Sequence, residues 1–217
     1  MHTLHFVDIE TTHLDPRIGE IIEIAILTSI DGGRTISSTY HTKIRPGYIQ
    51  DADPKSLEIN GYTPDEWTAA PVWSSVAPKI AEILSTGLFV AHNVRFDHAY
   101  LEYWIKKTLS VQIIYRTICT QSLVWTHLET KSASMKNIRD RFGWSHDGAH
   151  TAIVDARDCH RLYTSLVHLP ISPSPTDIES VLDRVSRLRS ANISVIGIPL
   201  DEMERICREI LVYRATV

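Results

Sequence analysis

Asp8 and Glu10 stand two residues apart inside the apolar stretch Leu4-His5-Phe6-Val7-Asp8-Ile9-Glu10-Thr11-Thr12, and that spacing poses a chemical question. Phe, Val and Ile favour a pleated strand. Alternation along a strand puts Leu4, Phe6, Asp8 and Glu10 on one face and His5, Val7 and Ile9 on the other. Apolar groups on both faces suit a central strand covered on both sides. The two acids then project together, with Cα atoms roughly 6.5 Å apart. At an effective dielectric near 20, two such charges repel by about 2.5 kcal/mol, before any cost of desolvation. The neighbouring sequence supplies no cation to offset this, because the first Lys or Arg is Arg17. A strand ending at a solvated rim would place both acids in water. A bound divalent ion would instead give both a purpose.

Two later acids and one imidazole extend the set. Asp97 falls in the first turn of a helix that follows the short apolar run Leu88-Phe89-Val90-Ala91. Ligands of open α/β sheets gather at the carboxyl ends of strands, although an Asp in a first turn also complements the helix dipole. Asp155 lies beside the stripe formed by Ala152, Ala156, Cys159, Tyr163 and Leu166, where an unpaired charge is costly. His150 precedes that helix, in the loop after Gly148, and is free to reach over a site held by Asp155. Carboxylate oxygens select Mg²⁺ or Mn²⁺ over zinc. Two such ions can hold both the attacking and leaving oxygens of a phosphoryl displacement. Histidine is the side chain suited to taking a proton from water near neutrality.

The elements that must position these groups follow from pattern. A second strand is expected over Glu20–Thr28 and a third over Ile36–Ile44, joined by the hairpin signal Asp31-Gly32-Gly33. From Ala52 to Pro78 the chain reads as short helical pieces, with Pro54, Pro64, Pro71 and Pro78 each limiting helix length. Helices are expected over Val76–Leu84, Arg95–Lys107, Thr120–Leu128, Ser134–Phe142 and Thr151–Leu166. A buried parallel strand is expected at Leu88–Ala91 and a further one at Val111–Tyr115. Three meandering strands followed by alternating helix and strand indicate an α/β fold with a mixed sheet. Pro170, Pro173 and Pro175 with Ser172 and Ser174 mark a linker. Two amphipathic helices, Thr176–Arg189 and Leu200–Tyr213, are expected beyond it. The division is therefore a core over 1–169, a linker over 170–175 and a helical C-terminal extension over 176–217.

Composition bounds the class. The chain has 217 residues, 43% hydrophobic and 22% charged, within the globular range. A formal charge of −4 is not that of a protein that coats nucleic acid electrostatically. Cys119, Cys159 and Cys207 form no Cys-x-x-Cys pair, so a reducing compartment fits. No signal peptide or membrane-spanning run is evident, which points to a cytoplasmic protein.

Three motifs in order carry a resemblance. Val7-Asp8-Ile9-Glu10-Thr11-Thr12, His92-Asn93-Val94-Arg95-Phe96-Asp97 and His150-Thr151-Ala152-Ile153-Val154-Asp155-Ala156 resemble the motifs of the DEDD exonucleases of the proofreading type. The subgroup is the DnaQ-like one, whose last motif carries a histidine. Ile59-Asn60-Gly61-Tyr62-Thr63, with Ala70-Pro71 downstream, is similar to the family's segment at the 3′-terminal nucleotide. The likeness runs from Leu4 to Leu166. It implies a ribonuclease-H-like mixed five-stranded sheet flanked by helices, and 3′→5′ hydrolysis releasing nucleoside 5′-monophosphates. It also implies that Asp8 bridges two Mg²⁺ ions (or Mn²⁺), with Glu10 and Asp155 on one and Asp97 on the other. His150 would then be the general base. Thr11, Thr12, Leu14, Ile59, Asn60, Asn93 and Phe96 would line the substrate, with Leu14 and Ile59 wedged against the terminal base. His13 stands where the family usually has Gly, and Asn60 where His is common.

The implied substrate is a single-stranded or frayed DNA 3′ end. An RNA or short-oligonucleotide substrate on the same chemistry is the alternative, and a non-catalytic binding module on this fold is a second. A polymerase or other protein partner could dock through 176–217.

Overall fold

The computed structural model describes residues 3–113, 116–128 and 130–167. The linker and helices expected beyond 169 lie outside the described residues. Five strands form one sheet: β1 (Leu4–Thr11), β2 (Ile21–Ser29), β3 (Ser38–Lys43), β4 (Leu88–Ala91) and β5 (Thr117–Cys119), in the order β3-β2-β1-β4-β5. The β1–β2 and β2–β3 pairs are antiparallel, whereas β4 runs parallel to β1 and to β5. The expected mixed α/β sheet is therefore present, with the acidic strand at its centre.

Both faces of β1 are covered, as its apolar pattern requires. Leu4 and Phe6 join Ala25, Leu27 and Val90 beneath Ala152, Ala156, Cys159 and Tyr163 of helix α7 (Ala152–Val167). The small Ala152 and Ala156 let the helix approach closely, and the Phe6 ring meets His160 and Tyr163 edge-on at 4.8 and 5.3 Å. Val7 and Ile9 face the opposite layer, built from Trp73–Leu84 and Val94–Leu109. Each buried aliphatic or aromatic side chain in these layers contributes roughly 1.5–3 kcal/mol. This double cover buries β1 on both faces along its length.

The helices follow in chain order. Helix α1 (Pro54–Ile59) and α2 (Pro64–Thr68) each begin on a proline, where the missing N–H costs nothing. Helix α3 (Trp73–Leu84) runs through Pro78 rather than stopping there. Pro78 and Ser74 both lie on the exposed side, so the carbonyl that loses its partner faces water. Helix α4 (Val94–Leu109) ends at Ser110 in the left-handed region. Of the strand expected at 111–115, residues 111–113 form no strand and 114–115 lie outside the described residues; Phe89 pairs with Thr117, Val90 with Ile118 and Ala91 with Cys119. An apolar run is not enough to make a strand here; the residues level with β4 are the ones that pair. Helix α5 (Thr120–His127) and α6 (Met135–Phe142) complete the described core, with Ser134 capping α6 through Asn137 N–H. Among the described residues, no helix is long and apolar enough to cross a membrane.

Candidate active site

The carboxyl end of β1 brings three of the predicted acids together. One oxygen each from Asp8, Glu10 and Asp155 lies within 4.8 Å of the others. Asp8 and Glu10 share the β1 face covered by α7, and the first turn of α7 delivers Asp155 to the same place. Asp97, in the first turn of α4, is 3% exposed. Its Oδ1 accepts a hydrogen bond from the Ile9 N–H at 3.2 Å, which anchors α4 to the middle of the acidic strand. Asp97 is thus placed against β1 but outside the closest trio.

Burial of like charges sets the electrostatics. Desolvation pushes the Asp8 carboxyl well above the usual range, and Asp97, Glu10, Asp155 and Glu23 add to the shift. Glu10 is raised to about 8, by burial first and then by Asp155, Glu23 and Asp97. Asp97 is also raised to about 8 by burial, against the opposing pull of backbone N–H bonds, including that from Ile9. Acids in this state hold protons that a divalent cation would displace. Hard oxygen donors, mutual repulsion and burial all fit a site for Mg²⁺ or Mn²⁺.

His150 is exposed and adopts φ +64°, the left-handed region, one residue before Thr151. Its turn is closed by Thr151, whose N–H and hydroxyl both donate to the Gly148 carbonyl, at 3.2 and 2.7 Å. Asn93 at the start of α4 is left-handed too, at φ +62°. Two motif residues, at the starts of the helices that carry Asp97 and Asp155, therefore occupy sparsely populated backbone states, a pattern common where geometry serves function.

The residues expected to line the substrate divide into two groups. Leu14 and Ile59 are 75% and 45% exposed, which leaves both side chains accessible from solvent. Asn93 is exposed and Phe96 partly so, its ring packed at 5.1 Å from that of Tyr100. Thr11, Thr12 and Asn60 are buried, and their side chains hold the loop together. Thr11 Oγ1 donates to the His13 carbonyl at 2.8 Å, and Thr12 Oγ1 accepts from Glu20 N–H at 2.8 Å. Asn60 Nδ2 donates to the Thr11 carbonyl at 2.8 Å, docking the end of α1 beside β1. His13 Nδ1 accepts from the Asp15 N–H at 3.0 Å, and its carbonyl takes a bond from the Tyr100 hydroxyl. His92 is held between Thr120 Oγ1 at 3.0 Å and the Ala133 carbonyl at 2.7 Å, and burial lowers it to about 4.

Four neighbours of the site were not legible in the motifs. Glu23 of β2 is 2% exposed, lies opposite Glu10 and bonds His41 Nε2 at 2.6 Å. Arg139 of α6 reaches Asp155 through Nη2 and Asp158 Oδ2 through Nε at 2.6 Å. The sequence around Asp8 and Glu10 offers no cation, and Arg139 reaches the cluster through Asp155 rather than through either of those two acids. The available signals were a lone acid in the apolar run of β2 and an arginine on the buried side of α6.

The exonuclease family's sequence profile matches residues 6–163, nearly the whole described core. The chain belongs to the exonuclease family. It is a DEDD-type member with the ribonuclease-H-like sheet, and members of this family are hydrolases of phosphodiester bonds. The chain is 32% identical over 167 residues to the DNA polymerase III PolC-type protein of Thermotoga maritima, covering 77% of this chain and 12% of that protein. It is 28% identical over 157 residues to the DNA polymerase III subunit epsilon of Aquifex aeolicus, covering 71% of this chain and 75% of the relative. The exonuclease thus spans 12% of the length of the PolC-type relatives it matches. The same fold recurs in the zinc-bound E. coli exonuclease I–single-stranded DNA complex, at TM-score 0.69 and 18% identity, over 87% of this chain and 44% of that one. It also recurs in exonuclease X bound to 5′-overhanging duplex DNA, at TM-score 0.59 and 20% identity, over 83% of this chain and 99% of that one.

Proposed function

We propose that this exonuclease removes nucleotides from single-stranded or frayed DNA 3′ ends in the 3′→5′ direction, releasing nucleoside 5′-monophosphates. The observation that carries the reading is the trio Asp8, Glu10 and Asp155 within 4.8 Å, with an exposed histidine, His150, two residues before the helix that carries Asp155. Asp8, Glu10 and Asp155 would hold one divalent ion, and Asp8 with Asp97 a second. Mg²⁺ or Mn²⁺ held there supplies Lewis-acid stabilisation of the charge that develops on the phosphoryl oxygens. An imidazole nitrogen of His150 takes the proton from the attacking water. Leu14 and Ile59 offer apolar surface to an unstacked terminal base, while Asn60 and the two threonines keep the loop that carries Leu14 in place.

DNA is favoured over RNA because the relatives at 32% and 28% identity are DNA polymerase III proteins. The same relationship supports a polymerase partner, with 176–217 as the segment that docks. The test is digestion of end-labelled DNA and RNA, single-stranded and duplex, with Mg²⁺, Mn²⁺ or EDTA. Loss of one nucleotide at a time from DNA 3′ ends, abolished by EDTA, is the expected result. Faster digestion of RNA would overturn the DNA assignment, stepwise loss from the 5′ end would overturn the direction, and cleavage inside a circular strand would overturn the dependence on a free end.

A further inference from the structure

Arg139 is a cation buried among the acids of the site. Its side chain is 3% exposed, while those of Asp155 and Asp158 are 16% and 13% exposed. Both partners sit on α7 three residues apart, on the side that meets α6. Nε is committed to Asp158 and Nη2 to Asp155, so the guanidinium is held as a fork with little freedom to swing away. Its main chain is fixed too: the Trp144 N–H donates to the Arg139 carbonyl at 2.9 Å, and Ile138 packs in the cluster of Val124, Leu162 and Leu166. Asp155 therefore serves both a permanently charged arginine and the acidic trio with Asp8 and Glu10.

We propose that Arg139 is a resident countercharge, held by Asp158, that offsets part of the acidic cluster without ions and weakens divalent-ion binding at Asp155. The inference rests on the metal-site reading proposed above. Two effects of Arg139 oppose one another. Its hydrogen bond orients Asp155, which favours an ion. Its positive charge, screened little by salt at this burial, repels an ion that itself carries two charges. The guanidinium charge acts on the ion directly, whereas the orienting bond acts only through Asp155, so the sign of the change on removing Arg139 decides between them.

The experiment is calorimetric titration of the full chain with Mn²⁺ alone. Arg139→Gln is expected to tighten Mn²⁺ binding by about tenfold or more, and Arg139→Lys to bind within about threefold of the unaltered protein. Arg139→Gln leaves Asp158 without its cation and could fail to fold. The double variant Arg139→Met with Asp158→Leu replaces the buried pair by apolar side chains, a change that often preserves stability. It is expected to tighten binding in the same direction by about threefold or more. Unchanged or weaker binding in the variants that lack the guanidinium overturns the proposal. So does a Lys variant that binds as tightly as the Gln variant, since charge would then not be the cause. An unaltered protein that binds no Mn²⁺ would instead overturn the metal-site reading, and the role of Arg139 with it.

Discussion

Glu10 and Glu23 stand directly opposite one another in the antiparallel β1–β2 ladder, each less than a tenth exposed. Like charges in that position destabilise a sheet. Glu23 is hydrogen-bonded to His41, while burial first, and then Asp155 and Glu23, raise Glu10 to about 8. The ladder tolerates the pair because one member is partnered and the other is neutral, or bound to a cation.

This arrangement makes the ion-free protein sensitive to pH. Glu10 and Asp97 titrate at about 8 in the fold, whereas unfolded carboxyls titrate near 4. Between those limits the native state holds more protons than the unfolded one. The contribution of these groups is therefore fully present below about pH 4 and lost as pH rises through about 8. In EDTA, melting temperature should fall across that window, and Asp8→Asn should raise it at pH 8. With Mn²⁺ the fall should disappear. An Asp8→Asn variant that melts lower than the unaltered protein in EDTA at pH 8 would refute this account.

Removing the imidazole tests the proton-transfer role. His150→Ala should lose about 10²- to 10⁴-fold in kcat while keeping Mn²⁺ affinity and oligonucleotide binding. The slope of the acidic limb of its rate profile should change as well. Turnover comparable to the unaltered enzyme with the same profile would place the base elsewhere.

The exposed Leu14 predicts a preference for ends that open easily. Unstacking a mismatched or single-stranded terminal base costs less than opening a paired one. Leu14→Ala should weaken binding of a single-stranded 3′ end by roughly 1–2 kcal/mol, with a smaller effect on kcat. The check is KM and kcat on matched single-stranded and blunt substrates. Equal rates on both substrates would exclude the wedge.

Asn60 makes a different prediction, because its amide is spent on the Thr11 carbonyl. Asn60→Ala should cost about 1–3 kcal/mol of stability, a fall in Tm of roughly 2–4 °C for each kcal/mol. Thermal melting without substrate measures this. An unchanged Tm with a raised KM would return Asn60 to a direct substrate role.

Truncation after Leu169 tests the division of the chain. Every residue of the proposed site lies before Val167, the end of α7. The shortened protein should keep its activity on short oligonucleotides and lose any self-association or partner binding. Insoluble or inactive product would show that 176–217 completes the core.

The local pattern of the chain determined most of the architecture and the identity of the acids. Strand β1 was legible because Leu4, Phe6, Val7 and Ile9 make both of its faces apolar, and α7 because Ala152, Ala156 and Cys159 recur at helical spacing. The motifs named Asp8, Glu10, Asp97, His150 and Asp155. What no local pattern could supply were relationships set by packing between distant elements. The strand beside β4 lay at Thr117–Cys119, and residues 111–113 form none, because pairing with β4 decides register and apolar composition does not. The hydrogen bonds that Thr11, Thr12 and Asn60 make within the loop were not legible either, because which hydroxyl or amide meets a backbone group depends on how α1 docks. The cation facing Asp155 came from α6, since a charge finds its partner through space, and the fifteen residues between Arg139 and Asp155 fold back to bring them together.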